Sequence, residues 1–469
     1  MELRERNKLL YDRAGFGISL SDYDQPKPIE NLTQSLFPKQ AAAPLTVVTA
    51  AAWAENAPRK EMDPQERKEK RMEMRQLVGD LNLLWLNEMV QTAYPLLEKT
   101  SLFWHGHFAC RIDNPYFQQD LLQNIRSNAL GNFGDLLKAV SKSPAMLSFL
   151  NNQQNRKQHP NENFAREVME LFTLGRGHYS EDDVKEAARA FTGWGFDQSG
   201  GFVFRERAHD EGRKKFLGKE GNFNGDDILN ILLAQKQTSV FITQKLYRYF
   251  VSDTRTDERR VNELAKYFYH ENYDIGKLLE KMFTEDWFYD DQNIGAKIKS
   301  PVELIVGYMR TVPLRFTNEK TPLQLQRILG QLLFAPPNVA GWPGGKNWID
   351  SSSLVIRMRL PEAFLGSKEI NLQLKELDTD LAEASEKMEV HTQQFNLARA
   401  NPDWDNYVNY WKQQAEQTLP KSLAAYLLPF QLPPEKLDVL KKFADKDSSE
   451  EYIKSLTILL MEMPEYQLC

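Results

Sequence analysis

The chain has 469 residues, of which 26% are charged and 41% hydrophobic, with a formal net charge of −6. Such a length holds one large domain or two to three smaller ones, and the composition is that of an ordinary globular protein. No basic field invites nucleic acid or an anionic membrane, and two cysteines, Cys110 and Cys469, are too few for a disulfide framework or a thiolate metal site.

The opening stretch "MELRERNKLLYDRAGFGISL" carries charges and no continuous apolar core, so it does not read as a secretory signal, and a cytoplasmic location is expected for the chain as given. Nothing approaches the roughly 18 consecutive apolar residues of a membrane-spanning helix. "KLLYDRAGFG" predicts a short helix ending at Gly15 or Gly17, and residues 21–60 read as loop. A long helical region follows in "DPQERKEKRMEMRQLVGDLNLLWLNEMVQTAYPLLEKTSLFW". Asp63 is suited to cap it and Pro64 to occupy its first turn. Further helices are predicted at 116–128, 132–140, 162–174, 180–192, 225–234, 237–251, 257–269, 274–284, 300–311 and 322–334. Ser180 and Asp183 have the spacing of a capping box. The strand signals "GGFVFRER" and "KKFLG" flank "AHDEGR" and predict one small hairpin. Cys110 is expected to be a small core residue.

The predicted fold is therefore mainly α: a multi-helical single large domain with one small β-hairpin and a C-terminal helical appendage. Its boundaries are a main domain over 1–365, a polar helical appendage over 366–430, and C-terminal helices over 431–469 that pack back on the main domain.

Chemistry-bearing residues concentrate in a few stretches. In "SLFWHGHFAC", His105 and His107 point the same way if the chain is extended and sit about 200° apart if it is helical. The helical reading, favoured by the upstream helix, leaves at most one of them for a site and makes the other a core histidine bonded to backbone. The helix in "PNENFAREVMELFTLGRG" gathers Glu162, Asn163, Arg166, Glu167 and Glu170 in one narrow arc against a wide apolar one, with Asn161 as N-cap and Gly175 as stop. That stripe is either a solvated face of i, i+4 ion pairs or the charged wall of a cleft. His209 and Asp210 in "AHDEGRKKFLG" are either ordinary turn residues or an acid–base or ligand pair. Trp194, beside Arg189 in "AARAFTGWGF", and Asn338 and Trp342 in the loop "APPNVAGWPGGKNW" suit a binding surface or simple packing. No P-loop, GxSxG elbow, HExxH, dinucleotide glycine fingerprint or paired CxxC occurs.

Taken in order, "LLYDRAGFG", "LFWHGHFAC", "ALGNFGDLLKAVSKSPAMLSFLNN", "PNENFAREVMELFTLGRGHYSEDDVKEAARAFTGW", "HDEGRKKFLG", "KIKSPVELIVGYMR", "GQLLFAPPNVAGWPGGKNWI" and "PEYQLC" closely resemble the bacterial family called domain of unknown function 1800. The resemblance weakens only near 30–75 and 366–430. It assigns no catalytic residue. It implies an envelope role, since many members are exported, and a partner from the sulfatase- or phosphatase-like family often encoded beside them.

Two functions follow as expectations. The first is a metal-dependent hydrolase or oxidoreductase. His107, Glu167, Arg166 and Asp210 would be catalytic there, and His105, Glu170 and His209 would hold a divalent metal. The second is a non-catalytic glycan- or protein-binding or assembly module. It would use Trp194, Asn338 and Trp342, with the charged motifs locking helices together. The first requires these side chains to converge around open space; the second requires only that each charge be paired.

Overall fold

The computed structural model describes residues 1–56, 62–366, 371–372, 395–396 and 400–469. The fold is mainly α, with its strands confined to short two-stranded antiparallel ribbons among the described residues. The chain divides into two compact units: residues 1–15, 27–293 and 332–343 form the first, and residues 16–26, 294–331 and 344–469 the second. Part of the predicted appendage over 366–430 lies outside the described residues. Its described remainder holds the helices Asp405–Trp411 and Leu419–Leu427.

The first unit is organised around the helix Pro95–His107. All of its residues but Gly106 are buried, so it presents no solvent face. A helix enclosed on all sides must satisfy every polar side chain internally. Glu98 receives the Trp85 indole N–H at 2.8 Å and Arg126 Nη2 at 2.6 Å. The Lys99 ammonium donates to the Gly15 carbonyl at 2.7 Å, and Thr100 and Ser101 bond back to the carbonyls of Leu96 and Leu97. Glu98 thereby ties together its own helix and the helices Pro64–Gln91 and Pro115–Asn128.

The local signals explain where helices begin. Asp63 accepts from the N–H groups of Gln65 and Glu66, Asn161 from Asn163, and Ser180 pairs reciprocally with Asp183. The single long helical region expected from Asp63 onward is two helices, Pro64–Gln91 and Pro95–His107. Pro95 sits at the start of the second, where its missing N–H costs nothing. Residues 21–60, expected as loop, contain the helices Leu20–Asp24, Ile29–Leu36 and Ala50–Asn56. The signal was present in Ile29, Leu32, Thr33 and Leu36, buried at helical spacing, but proline and alanine on either side obscured it. The helix expected over 322–334 stops at Ile328.

The hairpin expected across "AHDEGR" is instead two hairpins. Trp194–Phe196 pairs with Phe202–Phe204, and Lys214–Phe216 with Lys219–Gly221. The second is closed by Leu217 and Gly218, both at positive φ, the two-residue turn whose twist matches antiparallel strands. Cys110 is buried, and burial pushes its thiol well above the ordinary range.

The second unit packs Pro301–Thr311, Ser351–Leu365 and Ser449–Met461 with the two short helices named above. Its C-terminal "PEYQLC" is locked inward: Tyr466 stacks on Tyr308 with ring centroids 5.4 Å apart, and the Cys469 N–H bonds the Lys297 carbonyl at 2.9 Å. A ribbon joins Leu314–Phe316 to Ala400–Pro402.

Removing one partner of a buried ion pair strands the other, at a cost of roughly 3–5 kcal/mol. Arg126→Met should therefore lower stability by that order in urea unfolding followed by tryptophan fluorescence. Adding Glu98→Gln should recover part of the loss. A single variant as stable as the parent would remove Glu98 from its central place.

Candidate functional site

The helix "ENFAREVMELFT" changes character midway. Glu162–Glu167 is α-helical and Val168–Thr173 is a π-turn. The wider turn is set by i+5 pairing: the Leu174 N–H reaches the Met169 carbonyl at 2.8 Å, and Thr173 Oγ1 caps the Val168 carbonyl at 2.7 Å. Such turns are rare and recur at functional positions. Gly175 ends the run at φ +83°, with the Phe241 ring 3.0 Å from where a Cβ would stand, so the predicted glycine stop is required by both conformation and space.

The last carbonyls of any helix lack intrahelical donors. Here side chains from other elements supply them. His107 Nε2 lies 3.2 Å from the Phe172 carbonyl, Lys245 Nζ 3.2 Å from that of Leu171, and Gln237 Nε2 3.1 Å from that of Leu174. A carbonyl only accepts, so His107 carries its proton on Nε2 and offers Nδ1 as an acceptor. Lys245 Nζ fills it at 3.1 Å and lies 4.7 Å from the centroid of the Phe241 ring. Burial lowers the Lys245 ammonium to about 8. Burial, reinforced by the Lys245 charge, holds His107 neutral despite its bond to Phe172. The pair acts as a cap on the negative end of a helix.

His105 lies in the same helix with a different set of neighbours. Its Nε2 accepts the Phe334 N–H at 3.1 Å, and its ring packs among those of Trp85, Phe334 and Trp342. Burial depresses it to about 3. Both histidines are thus core groups satisfied by backbone, although the helical reading of the sequence assigned that part to one of them.

The charged stripe is half-buried and largely paired. Arg166 holds Glu162 at 3.2 Å and Glu181 at 2.7 Å. Glu170 takes Arg176 at 2.5 Å and the Tyr179 hydroxyl at 2.6 Å, and the Tyr179 bond heads the causes that lower its carboxyl. The Glu162–Arg166–Glu170 ladder expected at i, i+4 is therefore only half formed, because Glu170 turns to Arg176 and Tyr179. Glu167 differs. It accepts no hydrogen bond among the described residues, and burial together with the Glu170 charge raises its carboxyl above the ordinary range.

His209 and Asp210 belong to a third constellation. His209 Nδ1 donates to the Thr192 carbonyl at 2.9 Å, which leaves Nε2 as its acceptor. Asp210 grips Arg189 at 2.7 and 3.2 Å and accepts the Gly212 N–H at 2.8 Å. Arg189 also holds both oxygens of Glu186, one of which accepts the Lys215 N–H as well, while Asp183 accepts the Leu217 N–H. These carboxylates pin the Lys214–Gly221 hairpin to the helix Glu181–Ala190.

The aromatic candidates divide. Trp194 is buried against Phe191, Phe164 and Phe202, with Lys142 Nζ 5.4 Å from its ring centroid. Trp342 is half-buried on His105. Asn338 is exposed, and its Oδ1 accepts the Ala340 N–H at 2.9 Å. The Trp342 loop approaches the histidine helix so closely that a Cβ at Gly341 would meet the Gly106 carbonyl at 2.3 Å. Glycine at 341, which also stands at φ +81°, allows that contact.

The sequence-predicted residues therefore occupy three separately partnered groups. His105, Glu170 and His209 do not form a ligand set: among the described residues, no group of three or more His, Cys, Asp or Glu side chains is placed to hold a metal ion. Sequence reasoning missed Lys245 and Gln237, which carry no motif of their own, and the π-turn, which has no propensity signal.

A histidine whose folded pKa lies below its unfolded value contributes stability that is complete above about 6.5 and is lost as pH falls toward the folded value, with a slope near 1.4 kcal/mol per pH unit per proton. His105, depressed to about 3, should impose that loss between pH 6.5 and 3. His105→Asn keeps an acceptor for the Phe334 N–H and should reduce the acid slope of unfolding by about one proton. An unchanged slope in urea titrations at pH 6 and 4.5 would refute the core assignment.

No curated protein and no solved structure matches the chain. Residues 9–468 match the family model described as "Protein of unknown function (DUF1800)". With nearly its whole length covered, the chain belongs to that family.

Proposed function

We propose that this protein is a non-catalytic binding or assembly module whose charged motifs serve helix packing. The observation that carries the reading is the commitment of the imidazoles. His105 accepts a backbone N–H, and His107 and His209 donate to backbone carbonyls. The nitrogen lone pairs of His105 and His107 are spent on Phe334 and Lys245, so these residues do not suit a divalent metal. Asp210 and Glu170 are likewise bound to Arg189 and Arg176. The half-buried Trp342 and exposed Asn338 remain available for a glycan or a protein, and the sulfatase- or phosphatase-like proteins implied by the family resemblance are the partner class to test.

A second reading, a hydrolase or oxidoreductase, draws on Glu167 alone. A half-buried carboxyl raised by burial and by the Glu170 charge, with no side-chain hydrogen bond among the described residues, has the character of a general acid or base.

Elemental analysis of the purified protein, with thermal melting in divalent cations, separates the two. The binding-module reading expects no stoichiometric metal and no shift in Tm, while Arg189→Ala lowers Tm by unpinning the hairpin. Stoichiometric metal that disappears in a Glu167→Ala, His209→Ala double variant would reverse the conclusion.

A further inference from the structure

A recess of about 500 Å³ opens in the first unit where the helix Phe133–Lys142 meets Gly225–Leu233 and the turn after Glu258–His270. Its frame is fixed by polar contacts. Asn132 donates to the Asn272 carbonyl at 2.5 Å and accepts from the N–H groups of Gly134 and Asp135. The Tyr273 hydroxyl bonds the Leu233 carbonyl at 2.7 Å, and the Tyr269 hydroxyl that of Ala234 at 3.3 Å. Asn272 and Tyr273 are consecutive non-glycine residues at positive φ, 51° and 63°. A conformation of that cost persists only where surrounding contacts impose it.

Within this rigid frame four lining side chains are unspent. Asp135, Lys138, Asn230 and Asn272 have no side-chain hydrogen bond or ion pair among the described residues, whereas the side chains of Asn132, Tyr269 and Tyr273 are bonded. Their chemistry restricts a ligand. Asp135 only accepts, Lys138 only donates, and the two amides do both. One carboxylate and one ammonium cancel, so the recess favours a neutral guest carrying many groups that both donate and accept. Hydroxyls have that property. The Tyr269 ring, held in the wall through its hydroxyl, offers an apolar surface for the C–H face of a ring. The volume falls within the usual range for small-ligand sites, roughly 300–1,000 Å³.

The geometry points to a saccharide-binding site in the recess formed by Asp135, Lys138, Asn230, Tyr269 and Asn272. This inference rests on the binding-module reading and deepens it by naming a ligand class and its contacts. It uses none of the residues discussed for the other candidate surfaces.

The test is isothermal titration of the full chain with cellobiose, maltose and N,N′-diacetylchitobiose, and separately with the zwitterionic dipeptide Gly-Glu. At least one disaccharide should bind with Kd below about 1 mM. The exposed pair Asp135→Ala, Asn230→Ala should keep the wild-type Tm and weaken binding by roughly tenfold or more, as expected for two lost polar contacts. No disaccharide binding, binding unaffected by the double variant, or binding of the dipeptide alone would each overturn the proposal. Chromatography of the disaccharide after incubation keeps the two readings apart: cleavage by wild type that is lost in the variant would retain the site and overturn the non-catalytic reading.

Discussion

A helix with no face toward water admits no unpaired polar atom. Pro95–His107 meets that constraint while carrying a glutamate, a lysine, a threonine, a serine and two histidines. Each solution draws in another part of the chain: Glu98 calls for Arg126 and Trp85, Lys99 for the carbonyl of Gly15, His105 for the backbone of Phe334, and His107 for the end of the helix that contains Glu167. Remote segments are therefore held to one core by polar satisfaction as well as apolar burial. An apolar helix in the same place would be easier to bury and would say less about which neighbours belong beside it.

The same reasoning accounts for the histidine pair. Gly341 lets the loop that carries Trp342 come up against the Gly106 carbonyl, and the histidines on either side of Gly106 turn to different neighbours. His105 steadies that loop, and His107 closes the π-turn with Lys245. A widened turn exposes carbonyls at an angle a regular cap would miss, and an imidazole paired with an amine reaches two of them. Burial keeps His107 neutral and lowers Lys245 to about 8. The cap therefore works through oriented dipoles and one partly titrating amine, with no permanent ion pair.

Much of the fold was legible because helices announce their ends locally. Asp63, Asn161 and Ser180 cap where their side chains suggested, and Gly175 stops its helix at positive φ. The mainly α class followed from those signals and from the sparse strand pattern. Pairing was less visible. Phe202–Phe204 pairs with Trp194–Phe196 and not with Lys214–Phe216, and the second hairpin is held to the helix Glu181–Ala190 by Asp183 and Glu186 of that helix and by Asp210, which grips its Arg189; strand propensity shows none of this. The site residues could be found by type but not by role. A sequence shows that His209 and Asp210 are adjacent, yet not that Thr192 and Arg189 are waiting for them. The recess at Asn272 was invisible for a related reason: one wall, with Asn132, Asp135 and Lys138, belongs to the stretch "ALGNFGDLLKAVSKSPAMLSFLNN", but Asn230, Tyr269, Asn272 and Tyr273 belong to none of the quoted motifs, and nothing in the sequence shows that they meet it.

These observations divide the polar groups of the first unit into two populations. One is finished: its members sit in the dense aromatic and charged motifs, and their donors and acceptors are consumed by backbone or by opposite charge. The other is unfinished, and among the described residues it includes Glu167 on a half-buried face and Asp135, Lys138, Asn230 and Asn272 around an open recess. Buried groups gain most from pairing because the interior offers no water in compensation. Motif density in a chain like this one therefore tracks the demand of the core. Groups available to a guest are better sought among polar residues on rigid walls that the fold has left unsatisfied. On that criterion the asparagine-lined recess, rather than the histidine motif that first draws the eye, is where chemistry with another molecule is most open.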